Sequence, residues 1–438
     1  MNKNGFWQFA VLLLPLLTFS LFCVVPAHAK KGETDWSLGP TGARGLIEAW
    51  KHTAEARKIV ITRVASRSPA EGVLKVGDVI VGVEGRDFGG DARIQFANAI
   101  MRAEREESGG VLSLVCVRDG VRKMIDLRLP VMGSYSETAP YDCQKSQKIF
   151  ESGCEVIAKR GMRSVSIPNS INALALLASG ETQYQPLLSD YAKKVANYRV
   201  GPMATWHYGY AITFLAEYAL ATGDQSIMPG LRRLSLEAAH GQSKVGTWGH
   251  RFAMPDGRVG GYGCMNSPGI PLTISLVLAR EAGVKDPTMD LAIVRSARFL
   301  RWYVDKGAIP YGDHSPWPGH EDNGKCSMAA VLFDLLEDRE AAEFFAKMST
   351  AGYDERERGH TGNFFNILWA MPAVSRCGPL ATAAYWREQG WYYDFARQFD
   401  GGFRYQGSPA GEEEHGSYKN WDNTGTYLLT YALPLKSL

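Results

Sequence analysis

The C-terminal two thirds of the chain alternates between two kinds of predicted helix, and this alternation restricts the fold more than any single motif does. One kind is mixed and charged, with segments at 144–160, 185–199, 225–240, 286–304, 338–349 and 378–396. The other kind is apolar and rich in small residues, with segments at 169–179, 207–220, 268–279, 323–336, 361–371 and 423–433. Amphipathic helices have one face in water, whereas helices that are apolar all round are buried. Six such pairs predict an all-α (α/α)6 toroid over residues 143–438, with the apolar helices inside and no open end to cap.

The preceding residues have a different texture, which predicts a multidomain chain. Segments with period-two alternation and turn residues predict strands at 58–65, 78–85, 111–120 and 122–130, and an apolar stripe predicts a helix at 91–107. These elements make a small α+β domain over residues 35–131. A linker is expected at 132–142, before the first charged helix.

This first domain resembles a PDZ domain of the bacterial type. The residues that carry the resemblance are Ser68-Pro69-Ala70 and the segment GVLKVGDVIVGVEG at 72–85. The resemblance implies that an extended or C-terminal peptide binds as an added strand, with the peptide-binding positions at Arg44, Gly45, Leu46 and Ile47. The alternative is that the module only packs onto its own second domain.

The helical part resembles the toroids of terpenoid cyclases and protein prenyltransferases. The resemblance rests on Gly- and aromatic-rich loops before the apolar helices, such as GGYGCMNSP at 260–268 and DGGFRYQG at 400–407. The whole arrangement resembles an exported bacterial family of unknown function, and it implies no established activity. The zinc-binding Asp-x-Cys motif, the DDxxD motif and HExxH are all missing from the sequence, so no metal or other cofactor is predicted.

The N-terminus has the features of a signal peptide over residues 1–29. Lys3 precedes an apolar run at 6–25, and Ala27-His28-Ala29 has the form of a cleavage site. We therefore expect an exported chain, periplasmic or secreted, with no stable transmembrane segment after cleavage. A retained N-terminal anchor is the alternative. The net charge of +2 gives no reason to expect nucleic acid as a partner.

The candidate site follows from the predicted toroid. The N-termini of its inner helices would meet at one mouth and offer free N–H groups and partial positive charge. The predicted catalytic residues are His320, Glu321, His360, Asp313 and Asp422. The predicted substrate-binding residues are Trp206, His207, Trp248, His250, Tyr262, Asn266, His314, Asn363 and Trp421. Each type also has a structural explanation, since Asp before a helix is a good N-cap and Trp is a good core residue.

Three functions remain open from the sequence. The first is an exported enzyme that acts on carbohydrate at the toroid mouth, either a glycoside hydrolase or a polysaccharide lyase, with a glycan as the partner. The second is a non-catalytic scaffold that binds a peptide or protein through the PDZ groove. The third is an envelope enzyme whose PDZ domain presents a peptide chain to the mouth.

Overall fold

A computed structural model describes most of the chain after the predicted leader. The described residues are 35–47, 55–199, 201, 204–317, 319, 324–357, 362–406, 418 and 420–435. The predicted signal peptide therefore lies outside them. None of the helices in this described part is both long enough and apolar enough to cross a bilayer.

The N-terminal region is an antiparallel sheet with one helix. Its strands are β1 (Trp36–Ser37), β2 (Ala43–Leu46), β3 (Ile59–Val64), β4 (Val79–Val83), β5 (Arg86–Asp87), β6 (Val111–Arg118) and β7 (Val121–Arg128). Helix α1 (Ala92–Ala103) lies between β5 and β6, and the Asp91 carboxylate caps it by accepting from the Arg93 backbone N–H. The predictions of β3, β4, β6, β7 and α1 are confirmed, each within a few residues.

The sheet has the order β1-β2-β3-β4-β6-β7, and β5 pairs with β4. Strand β1 has only two residues and forms one edge. The amide of Gln406 covers this edge, because its Oε1 accepts from Ser37 N at 3.0 Å and its Nε2 donates to Ser37 O at 2.9 Å. A side chain from the C-terminal part of the chain thus satisfies backbone groups that a neighbouring strand would otherwise bond.

The rest of the described chain is largely helical. Its helices are α2 (Gln144–Arg160), α3 (Ile167–Ala178), α4 (Gln185–Ala196), α5 (Ala204–Thr222), α6 (Met228–His240), α7 (Asn266–Glu281), α8 (Pro287–Arg301), α9 (Lys325–Leu335), α10 (Arg339–Ala351), α11 (Phe364–Val374), α12 (Pro379–Ala396) and α13 (Thr424–Tyr431). Each coincides with a helix predicted from the alternation, so the twelve helix predictions are confirmed with shifts only at the ends. Local signals explain several starts, including the side-chain caps Ser166, Asp286 and Asp338.

The apolar helices, α3, α5, α7, α9, α11 and α13, pack against one another in a closed cycle. Each contacts the next along the chain, and α13 contacts α3. Neighbours are linked near their N-terminal ends. Gly425 N donates to Asn172 Oδ1 at 2.7 Å, and Gly324 N donates to Asn366 Oδ1 at 2.9 Å. The N-termini of these neighbouring helices therefore lie on the same side.

The sheet region packs directly on α12. Phe395 of α12 lies between Trp36 of β1 and Phe96 of α1, with ring centroids 6.1 Å and 6.3 Å away. Arg93 of α1 lies over the ring of Trp36, 4.6 Å from its centroid, and forms an ion pair with Glu357 at 2.5 Å. The apolar side chains of the two regions belong to one continuous hydrophobic core.

A buried ionic cluster reinforces this contact. Glu104, just after α1, forms an ion pair with Lys145 Nζ at 2.7 Å and accepts a hydrogen bond from Arg397 Nη2 at 2.5 Å. Asp394 lies 3.5 Å from Lys145 Nζ and accepts from Tyr135 OH at 3.0 Å. Tyr135 belongs to the predicted linker at 132–142, so this segment is packed into the contact between the two regions.

Candidate functional site

Aromatic side chains form a continuous row at the N-terminal ends of the apolar helices. The row begins on the loop before α7, crosses the starts of α5 and α11, and ends just before α13. Successive ring centroids lie 4.8–6.1 Å apart. We call this row the aromatic rim, and its members are Tyr262, His250, Trp206, Phe365, Tyr418 and Trp421. The structure thus brings together four of the residues predicted to bind substrate, which are Tyr262, His250, Trp206 and Trp421.

The exposed end of the rim is built from Tyr262, His250 and Trp206. Tyr262 is 83% exposed, and its ring meets His250 edge-on at 5.7 Å. The imidazole of His250 is stacked on Trp206, and Trp206 Nε1 donates to His250 Nδ1 at 3.0 Å. An indole N–H can only donate, so Nδ1 is the acceptor and the neutral ring carries its proton on Nε2. Burial lowers the pKa of His250 from its ordinary value, which favours this neutral form.

Thr205 fixes the loop that carries His250. Its hydroxyl lies at the start of α5 and is within hydrogen-bond distance of Gly249 O at 2.7 Å and His250 O at 2.9 Å. The loop is thereby attached to the same turn of helix that presents Trp206. This local arrangement explains how residues 44 apart in sequence become hydrogen-bonded.

Two of the predicted binding residues, Trp248 and Asn266, are buried and hold loops in place. Trp248 is fully buried, and its Nε1 donates to Ala238 O at 2.8 Å. Asn266 is also fully buried, and its Nδ2 donates to Pro310 O at 2.9 Å and Gly312 O at 2.8 Å. Trp248 thereby holds its loop to the C-terminal end of α6, and Asn266 holds the loop at 310–312 to the start of α7. The polar groups of both side chains are used within the protein.

The loop that Asn266 holds carries Asp313 and His314. Both residues are exposed. Their loop is anchored again where Tyr303 OH donates to His314 O at 2.9 Å. Trp317 follows on the same loop and is 54% exposed. These side chains lie at the surface on the α7 side. The structure describes two of the predicted catalytic residues, Asp313 and Asp422, and Asp313 is the exposed one.

Asp422 acts as a helix cap in this structure. Its Oδ1 accepts from Thr424 N at 3.1 Å and from Thr424 Oγ1 at 2.7 Å, at the start of α13. The same oxygen accepts a hydrogen bond from Arg160 Nη1 at 3.0 Å. A carboxylate that accepts three bonds at a helix N-terminus has a structural role that accounts for its position.

Asn363 and His207 complete the described predicted positions. Asn363 is buried, and its Nδ2 donates to Tyr392 OH at 2.7 Å and to Glu357 O at 3.2 Å. His207 is stacked with Tyr198 at 6.2 Å, and burial lowers its pKa from the ordinary value. The Nδ1 atom of His207 is buried without a hydrogen-bond partner within the described ranges. His320, Glu321 and His360 lie outside the described residues.

Two rim residues, Phe365 and Tyr418, and two aromatic residues next to the rim, Tyr210 and Trp369, were not predicted from the sequence. Tyr210 and Phe365 stack across the axis at 5.8 Å, and Trp369 Nε1 donates to Tyr210 OH at 3.0 Å. Helices α5 and α11 therefore meet through aromatic side chains in the middle of the cycle. Trp206 and Tyr210 are four residues apart, and so are Phe365 and Trp369, which places each pair on one helix face. That spacing was the available signal.

The predicted peptide-binding segment lies on β2 and just after it. Arg44 forms an ion pair with Asp35 at 2.6 Å, and Leu46 is buried. Strand β2 pairs with β1 on one side and β3 on the other. The space between the β1–β2 turn and α1 is filled by α12. A Cβ on Gly39 of that turn would lie 2.8 Å from Ile100 of α1 and 2.9 Å from the Asp394 carbonyl oxygen of α12.

No group of three or more His, Cys, Asp or Glu side chains in the described ranges is arranged to hold a metal ion. The helical region matches a known protein family. Residues 146–438 match the family described as a domain of unknown function, DUF6288. The chain belongs to the DUF6288 family. The matched range covers α3 to α13 and nearly all of α2, so every described residue of the aromatic rim is inside it. No curated protein matches the chain.

Proposed function

We propose that this DUF6288 protein binds carbohydrate on its aromatic rim, and that it does so as an exported protein. The observation that carries the proposal is the aromatic group of Tyr262, His250 and Trp206, which is exposed at Tyr262 and held together by the Trp206–His250 hydrogen bond of 3.0 Å. Flat apolar rings suit the C–H faces of sugar rings, and the rim adds polar groups beside them. Export rests on the apolar segment 6–25 and Ala27-His28-Ala29.

The architecture in the proposal has two parts. The helical region is an (α/α)6 toroid with α3, α5, α7, α9, α11 and α13 inside, supported by their closed cycle of contacts. The sheet region is a PDZ-like module, supported by the Ser68-Pro69-Ala70 and 72–85 motifs and by one helix between the strands. In this arrangement the rim lies at the toroid mouth, where the helix N-termini add positive potential.

The polar chemistry of the rim suits a hydroxylated ligand. His250 Nδ1 accepts from Trp206, so in the neutral ring Nε2–H is left as a donor for a sugar oxygen. The Tyr262 hydroxyl, on an 83% exposed side chain, can both donate and accept. A neutral imidazole, favoured by the lowered pKa of His250, avoids placing an unneeded charge against a neutral glycan.

Binding has more support than turnover. Hydrolysis by two carboxylates needs a pair at a set separation, and Asp422 accepts three hydrogen bonds as a cap. Asp313 is exposed on the neighbouring loop. The hydrolase or lyase alternative therefore depends on His320, Glu321 and His360, which lie outside the described residues.

The peptide-binding alternative has less support than glycan binding. Phe395 of α12 lies between Trp36 and Phe96, in the space beside β1 and α1. A C-terminal peptide would have to displace α12 and separate the buried ion pairs of Glu104. The packing agrees with the alternative to peptide binding that the sequence left open, in which the PDZ-like module only packs onto its own helical domain.

The test is a glycan array followed by titration calorimetry on the best glycan. We expect Tyr262→Ala to raise the Kd for the glycan about ten-fold, because the substitution removes the exposed aromatic ring. The matched control is Tyr353→Ala, which removes a 46% exposed tyrosine after α10. Unchanged affinity in Tyr262→Ala, or an equal loss in both variants, would contradict the proposal. Incubation of the bound glycan with the protein, followed by mass spectrometry, separates binding from cleavage.

A further inference from the structure

A cavity lies on the axis of the cycle of apolar helices, toward the end opposite the rim. Its volume is about 130 Å3, and residues of all six apolar helices line it. On α3 its wall runs from Ile171 to Ala178, the last residue of the helix, and on α9 it includes Leu335, again the last residue. The cavity therefore occupies the C-terminal half of the cycle.

The cavity is closed on the rim side. Tyr210 and Trp369 both line it, and the hydrogen bond from Trp369 Nε1 to Tyr210 OH crosses the axis there. Phe365 stacks on Tyr210 on the rim side of this bond. A molecule in the cavity would therefore be separated from the aromatic rim, and this inference does not depend on the proposed function.

The wall chemistry defines the class of ligand. Most of the lining is aliphatic, and five of the six apolar helices contribute leucine, isoleucine or valine to it. A cavity of similar size, about 150 Å3 and lined by aliphatic and aromatic residues, stays dry and binds benzene. A ligand of about six carbons would regain the dispersion contacts that the empty walls lack.

Two charged side chains stand at the C-terminal edge of the cavity. Glu217 comes from α5, and Arg376 follows α11. Arg376 donates through Nε to Asp334 Oδ2 at 2.9 Å and through Nη1 to Pro372 O at 2.5 Å. The positive charge of Arg376 is thus matched by Asp334, so an anionic head group would gain little from this guanidinium. A neutral hydroxyl needs no unmatched charge.

We infer that this axial cavity binds the hydrocarbon part of a small neutral amphiphile, about six carbons long, with its hydroxyl at Glu217 and Arg376. The probe is 1-hexanol, and the matched control ligand is hexane-1,6-diol. The diol has the same length but would bury a second hydroxyl among aliphatic walls, which costs free energy without a hydrogen-bond partner.

The experiment is thermal unfolding of the purified chain with each alcohol at the same concentration. Ligands that bind only the folded state raise Tm by mass action, so 1-hexanol should give a higher Tm than the diol. Two filling variants, Leu174→Phe and Val331→Phe, occupy the cavity from α3 and α9. We expect them to fold, as checked by circular dichroism, and to abolish the difference between the alcohols. Val294→Phe, at a 61% exposed position on α8, is the control and should keep it.

The inference is overturned if 1-hexanol gives no higher Tm than the diol in the unmodified chain. It is also overturned if the difference survives in both filling variants, or if Val294→Phe removes it as well. Should one filling variant fail to fold, the other decides. Replacing 1-hexanol by hexanoate tests the charge argument, and a larger stabilisation by the acid would overturn the assignment of a neutral head group.

Discussion

At the scale of single residues, buried charges determine how the sheet region is held to the helices. Glu104 is fully buried and accepts from Arg397 while it forms an ion pair with Lys145. Lys145 is itself fully buried and lies 4.4 Å from the centre of the Tyr135 ring. Removing one member of such a group leaves its partners charged in a place that water cannot reach, which is far more costly than losing an exposed pair.

We therefore expect Glu104→Ala to lower the free energy of unfolding by about 3–5 kcal/mol. The measurement is urea unfolding followed by circular dichroism. Glu84→Ala is the matched control, because Glu84 also pairs with an arginine of α1, Arg102, but both side chains are nearly half exposed. That variant should lose at most about 1 kcal/mol. Similar losses for the two variants would show that the Glu104 cluster does not hold the sheet region to the helices.

The same scale shows what a sequence can say about a site. The sequence predicts Trp206 and His250 as binding residues, and the structure joins them through one hydrogen bond. The sequence also predicts Trp248 and Asn266 as binding residues, but both are fully buried and hold loops. Trp206 and Trp248 are the same residue type. What separates them is burial and partner choice, which depend on contacts between segments far apart in the chain.

At the scale of elements, helix and strand periodicity could be predicted well. All twelve helices of the helical region follow from the alternation of charged and apolar segments. The short strands β1 and β2 gave no such signal, because two to four residues carry too little pattern. The edge of β1 is completed by the Gln406 side chain, a contact over 369 positions that local pattern cannot reveal.

The contact between α13 and α3 gives a prediction at this scale. A Cβ on Gly425 would lie 2.7 Å from the backbone N and Cα of Asn172. Gly to Ala in a helix is usually stabilising, by roughly 0.5–1 kcal/mol. Here we expect the opposite sign, a loss of about 1–3 kcal/mol, because α13 would have to move away from α3.

The comparison for that prediction is Gly153→Ala in α2. The three atoms nearest to the added methyl group there all belong to the side chain of Leu428, which can shift without a movement of the backbone. Its loss in urea unfolding should be clearly smaller than that of Gly425→Ala. A stabilising effect of Gly425→Ala would mean that α13 and α3 are not packed as closely as described.

At the scale of the whole molecule, the sequence predicted two domains with a linker, and the structure joins the two regions more closely than a linker implies. Helix α12 explains why. Its sequence is too aromatic for a helix with one face in water, since Trp386, Trp391, Tyr393 and Phe395 are all nearly fully buried. The second buried face is the one covered by α1 and the β1–β2 turn. The composition of this helix was the signal that the two regions share a core.

A shared core predicts a shared unfolding transition. Separating the sheet region from α12 would expose Phe395 and leave Lys145 and Arg397 without Glu104, so neither region should melt alone. Differential scanning calorimetry of the purified chain should give one transition, with a van't Hoff enthalpy equal to the calorimetric enthalpy. Two resolved transitions in the unmodified chain would contradict this. In Phe395→Ala, where the central ring of the contact is removed, we expect the single transition to broaden or split, because the contact that couples the regions loses about 3–5 kcal/mol.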